Sequence, residues 1–223
     1  MPSCLAARLA GLIAALSALA ALAGPAEDYA AGDRAYRRGD VREAIARLRP
    51  AADAGHAKAQ VLLGAILDAS EQDEEAVKYL RLAAAQGEPE GMYLLASMIG
   101  TGEGAPKDPR VAREWMEKSA RAGKREAVAA LAKAYLDGGY DLGPAERESP
   151  EALAWIRRAA EIDHLPSVDR LAVAYRRGDF GLAADEKEAL GYEARAKALR
   201  GQPDAGKKAT PARRPAMPRV PGA

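Results

Sequence analysis

One cysteine, one phenylalanine, two tryptophans and two histidines are all that the 223 residues hold of those types. Cys4 stands ahead of the apolar run near the start of the chain. A form cleaved behind that run therefore has no disulfide, no thiolate nucleophile and no cysteine-bound metal. Long runs of valine, isoleucine and threonine, the mark of a sheet protein, are missing. So is any Gly-x-Ser-x-Gly elbow for a serine nucleophile. What is present is alanine and charge, with 29% charged residues, a composition that suits helices.

Residues 9–23 carry no charge and end Ala21-Leu22-Ala23, behind a short start whose one basic residue is Arg8. That layout predicts a secretory signal peptide over residues 1–23, cleaved after Ala23 or alternatively after Ala26. Fifteen apolar residues fall short of the roughly 20 that a spanning helix needs. The expected location is exported, periplasmic or secreted, with membrane anchoring if the signal stays uncleaved. A lipid-anchor cysteine would follow the apolar run, and Cys4 precedes it. Beyond residue 199, Arg200, Lys207, Lys208, Arg213, Arg214 and Arg219 face a single acid, Asp204, leaving 26 basic against 31 acidic residues in 27–199. Pro203, Pro211, Pro215, Pro218 and Pro221 punctuate the 201–223 tail. Such a stretch cannot bury a core and reads as a disordered, basic tail able to touch anionic wall polymer or membrane. No specific nucleic-acid partner is implied.

The chain repeats itself. "AADAG", "LAAAQG", "KSARAG" and "RRAAEID" align so that their last residues are Gly55, Gly87, Gly123 and Asp163. Eight residues after each stands Leu63, Leu95, Leu131 or Leu171, followed by Gly64, Ala96, Ala132 or Ala172. Eleven residues before each stands Ala44, Ala76, Ala112 or Ala152. These spacings are constant, whereas the interval from the leucine to the next alanine runs 13, 17, 21 and 18 residues. Length varies in one loop per unit, the behaviour of a helix–loop–helix repeat. The hexapeptide AYRRGD, found at 35–40 and again at 174–179, fits this frame as a helix end. Gly39 and Gly178 supply the left-handed turn, and the arginines suit the negative end of the helix dipole.

The unit from Gly91 to Gly123 resembles the Sel-one-like repeats, relatives of the tetratricopeptide helical hairpins, at Leu95, Gly102, Gly104, Asp108, Ala112, Trp115, Lys118, Ala120 and Gly123. It departs from the pattern at Ala96, Ile99, Ala105 and Val111. Trp155 fills the tryptophan slot of the next unit, with Tyr79 and Tyr192 in the neighbours. The resemblance covers about 27–199, as units 27–55, 57–87, 89–123, 125–163 and 165–199, near four and a half repeats. It implies an all-α, right-handed superhelical solenoid of about nine helices that works as a non-enzymatic protein-interaction scaffold or envelope adaptor. The 57–87 unit lacks the Gly-x-Gly loop, so a tighter loop is expected there. Some exported members carry a cysteine pair in every unit; here there is none, and activity tied to that subgroup does not transfer. Periodicity places Trp115 and Trp155 in equivalent inter-helix positions.

Chemistry-bearing residues are few. His56 and His164 follow the aligned Gly55 and Asp163 and read as turn residues rather than metal ligands. The glycines at 100, 102 and 104 lack the Gly-Lys-Ser/Thr ending of a phosphate loop, and Asp179-Phe180-Gly181 stands without the rest of the kinase set. No cofactor is expected. What remains is a surface: in helical-hairpin solenoids the first helix of each unit lines the concave face. Positions two before and two after the aligned leucine should point there, namely Val61, Ala65, Tyr93, Ser97, Ala129, Lys133, Asp169 and Val173. Tyr93 is the anchor candidate, against an equal case for ordinary packing. The alternative of another class is a weak hydrolase or ligand-binding protein acting on cell-wall glycan. One deep pocket with clustered polar groups would mark that alternative, and a long shallow groove the scaffold.

Overall fold

The structure, a computed structural model, describes residues 24–201. The predicted signal segment and the tail from residue 202 onward lie outside the described residues. Within them the protein is helical and shows no strand. The helices are α1 (Pro25–Arg37), α2 (Val41–Asp53), α3 (Ala57–Ala69), α4 (Asp73–Ala85), α5 (Pro89–Thr101), α6 (Pro109–Arg121), α7 (Arg125–Asp137), the single turn α8 (Pro144–Arg147), α9 (Pro150–Glu161), α10 (Leu165–Arg177) and α11 (Glu186–Gly201). Ten of these helices are longer than a single turn, in line with the about nine that the resemblance implies. In α1 Ala31 occupies the leucine slot, and Gly32 and Ala35 are buried as the frame requires.

Local chemistry sets the boundaries. Asp40 and Asp108 accept the backbone N–H of Glu43 and Val111 at the starts of α2 and α6, and Pro25, Pro89 and Pro109 open α1, α5 and α6. Three-residue turns at 54–56, 86–88, 122–124 and 162–164 follow α2, α4, α6 and α9. Their middle residues are left-handed: Gly55, Gly87 and Gly123 at φ 88°, 88° and 95°, and Asp163 at φ 63°. Aspartate is among the few residues that tolerate this region, which explains the departure at the fourth turn. Each turn closes with the same bond, from the N–H of His56, Glu88, Lys124 or His164 to the carbonyl of Ala51, Ala83, Ser119 or Ala159, at 3.0–3.2 Å. Loops within pairs differ: 70–72 is short, as the missing Gly-x-Gly pattern led one to expect, while 102–108, 138–149 and 178–185 are longer.

The chain divides into two compact units, residues up to Trp155 and residues from Ile156 onward. In the first, consecutive helices pack as pairs, and α2 and α4 also pack on the helices that follow them. The aligned Ala44, Ala76 and Ala112 are fully buried, as are Leu48, Leu63, Leu67 and Leu80. A Cβ placed on Gly32 would sit 2.5 Å from the Leu48 side chain, and one on Gly64 2.8 Å from that of Leu80. The small slot of the first helix thus admits the large residue of its partner. Burial at the two tryptophans is unequal: Trp155 is 5% exposed, whereas Trp115 is half-buried under the Lys118 ammonium, 4.1 Å from the ring centroid. In the second unit, Val168, Leu171 and Ala174 of α10 are fully buried together with Ala159 and Ala189. The slots that hold Leu80 and Ala84 in α4 hold Glu193 and Lys197 in α11, and Glu193 pairs with Arg176 at 2.5 Å.

Candidate interaction surface

Of the eight predicted face residues, six lie in the first unit, on α3 (Val61, Ala65), α5 (Tyr93, Ser97) and α7 (Ala129, Lys133). Asp169 and Val173 lie on α10 in the second. None is buried; Lys133 and Val173 are exposed and the others intermediate. α3 rests against α5, so Val61, Ala65, Tyr93 and Ser97 belong to adjoining helices. Their polar groups are partly engaged. Ser97 donates its hydroxyl to the Tyr93 carbonyl at 3.1 Å, Lys133 pairs with Asp137, and Asp169 accepts Arg200 through both oxygens at 2.5 and 2.7 Å.

Tyr93 is held on one side. The Lys124 ammonium stands 5.6 Å from its ring centroid while pairing with Glu90 and Glu126. Burial alone would lower the Lys124 pKa, but the two carboxylates outweigh it and leave the ammonium above its ordinary value. Tyr140 comes from the 138–149 loop, and its ring lies beside Gly100 of α5. Burial, then the neighbouring Tyr93, pushes the Tyr140 phenol up to about 12.

This aromatic insertion was missed in the sequence although a signal existed. Gly138, Tyr140 and Leu142 repeat as Gly178, Phe180 and Leu182, and Tyr140 and Phe180 both take left-handed backbone, at φ 55° and 57°. Asp179-Phe180-Gly181 is the short 3-10 turn carrying the second copy, with the Arg170 guanidinium 4.5 Å from the Phe180 ring and paired to Asp179 at 2.5 Å. The two histidines stand at helix N-cap positions. His56 accepts the Ala59 N–H through Nδ1 at 3.2 Å, and His164 Nδ1 lies 2.8 Å from the Ser167 hydroxyl. The glycine run is packing: Gly102 ends α5 at φ 92°, and a Cβ on Gly104 would lie 2.2 Å from the Asp73 carbonyl oxygen.

No group of three metal-ligating side chains gathers among the described residues, and no described helix is long and apolar enough to cross a membrane. Two shallow depressions, of about 480 and 540 Å³, lie beside α4, and no histidine lines either. None of the eight predicted face residues borders them.

Among solved structures the chain is similar to a Sel1 repeat protein from Oxalobacter formigenes, at 27% identity and a TM-score of 0.59 over 74% of this chain and 47% of that one. It is also similar to c5321, a protective antigen present in uropathogenic Escherichia coli strains displaying an SLR fold, at 25% identity and a TM-score of 0.66 over 80% and 38%. The chain thus spans under half the length of either. MamA shares the fold at 17% identity and a TM-score of 0.51, over 79% of this chain and 91% of that one. No curated protein matches the chain. The Sel1 repeat matches four times, at residues 57–88, 89–124, 125–164 and 168–198, and the chain belongs to the Sel1 repeat family.

Proposed function

We propose that this protein is an exported, non-enzymatic scaffold of the cell envelope, holding a partner protein against the first helices of its repeats. Sel1 repeat proteins are protein-interaction scaffolds, and the fold is typically non-enzymatic. The observation that carries the reading is the row Val61, Ala65, Tyr93, Ser97 and Ala129. Three first helices present small or apolar side chains that their own neighbours leave partly open to water. Tyrosine is a common anchor in such surfaces. The uncharged run at 9–23 supports export, and the basic tail supports a weak electrostatic contact with anionic wall polymer or membrane.

Capture from the native envelope, with the exported chain as bait, tests the scaffold reading. A bait carrying Val61→Asp, Tyr93→Asp and Ala129→Asp should lose a protein that the unaltered bait retains, at unchanged helicity. Retention of the same proteins by both baits overturns the first-helix surface. Export is read from the N-terminus of the chain recovered outside the cytoplasm, expected at Gly24 or Glu27. Tail contact with anionic vesicles should weaken with salt and vanish when 201–223 is deleted.

A further inference from the structure

In two exposed slots where most second helices carry a cation, α4 carries none; the other exceptions are prolines, Pro150 of α9 in the first slot and Pro50 of α2 in the second. Two residues before the aligned alanine stand Arg42, Arg110 and Lys187 in α2, α6 and α11, but Glu74 in α4. Six residues after it stand Lys118, Arg158 and Arg195 in α6, α9 and α11, but Leu82 in α4. Both α4 residues face water, Leu82 with 43% of its surface exposed. In α6 the cation has a structural task, covering Trp115. Leu82 has no such task. A lone exposed leucine needs no explanation, but this one joins Val77, Ala105 and Pro106 in a depression of about 480 Å³, flanked by Lys78 and Arg81.

At Glu74 and Gly104 that depression meets the second, bounded by Glu71, Gln72, Asp73 and Glu75. Together they make one furrow between α4 and the 102–108 loop, acidic where α4 begins and apolar with a cationic edge farther along. Of the furrow's carboxylates only Glu75 is ion-paired, to Arg49, among the described residues. Nearby, burial and then Asp73 and Glu103 hold the Asp68 carboxyl above its ordinary value. Glu74 and Leu82 are eight residues apart, about 12 Å along the helix. Three to four residues of extended chain, at about 3.3 Å each, cover that distance.

We propose that this furrow docks an extended segment of a protein partner bearing a basic residue and, three or four positions away, an apolar one. The basic residue lies at Glu71, Asp73 and Glu74, and the apolar one on Leu82, Ala105 and Pro106. Lys78 and Arg81 repel a basic residue at the apolar end and so set the direction of the segment. The inference rests on the scaffold reading but uses a different surface from the first-helix row.

The test is fluorescence anisotropy with the full chain and a labelled octapeptide of two arginines, two serines and two leucines between terminal glycines. Binding should weaken at least about tenfold when glutamates replace the arginines or serines replace the leucines. Glu74→Arg and Leu82→Lys give α4 the residues that α6 carries in the same slots, so the frame is kept. Together they should weaken binding by a similar factor, while Tyr93→Asp leaves it unchanged. No binding of the arginine peptide, equal binding of the glutamate peptide, or indifference to the α4 changes overturns the proposal. Loss on Tyr93→Asp alone overturns the furrow and leaves the scaffold reading standing. Failure of the envelope capture counts against the first-helix surface and leaves the peptide result untouched.

Discussion

At Gly64 the missing side chain is occupied space, because a Cβ there would stand 2.8 Å from Leu80 Cγ. On an open helix surface, replacing glycine by alanine stabilises by up to about 1 kcal/mol. Here overpacking reverses the sign, and Gly64→Ala should destabilise by about 1–3 kcal/mol in urea titration. The two tryptophans separate by burial. Trp155→Ala should cost about 3–5 kcal/mol, the usual figure for emptying a buried aromatic site. Trp115→Ala should cost about half as much, since water already reaches that ring. Equal losses in thermal unfolding would contradict the burial difference.

Among the elements, α6 depends on its first residues. The Asp108 carboxylate takes the Val111 N–H at 3.0 Å, and Asp108→Ala should cost about 0.5–2 kcal/mol in the same titration. The 138–149 loop is held by Tyr140, whose phenol must stay protonated while it is packed away from water. Its folded pKa, about 12, exceeds the ordinary value of 10.0. The stabilisation is therefore complete below pH 10.0 and fades as pH rises toward 12. Tyr140→Phe should flatten the part of the alkaline stability loss that the wild type shows in that window. Identical profiles for the two proteins would rule out this role for Tyr140.

Across the whole molecule, repeats couple mainly to their neighbours. Leu63→Ala should cost about 2–5 kcal/mol, with lost amide protection concentrated in α2–α5 and protection in α10 and α11 retained. Uniform loss along the chain would contradict that coupling. The framework was legible in the sequence because Leu63, Leu95, Leu131 and Leu171 recur at fixed distances from the alanines, and all eight residues are buried to 1% exposure or less. α1 was legible at its end, marked by Gly39 of AYRRGD, but not in its leucine slot, since Ala31 leaves no contrast with the surrounding alanines. Tyr140 and Phe180 escaped because the pattern they share, a glycine two before and a leucine two after the aromatic residue, lies in the loops of variable length, outside the constant frame. The α4 furrow escaped for another reason: Leu82 and Glu74 are informative only beside the cations of the other helices, a comparison of exposed slots rather than of buried ones.

The two kinds of bend have opposite tolerances for lengthening. A peptide tag spliced into 138–149 enters a stretch where this chain already departs from its own average. One residue added to 122–124 would pull the Lys124 N–H out of line with the Ser119 carbonyl and turn the face of α7 by about 100°. Labels, affinity handles and cleavage sites for studying this protein therefore belong in the long bends, clear of Tyr140 and of the 102–108 wall of the furrow, and the three-residue ones are best left untouched.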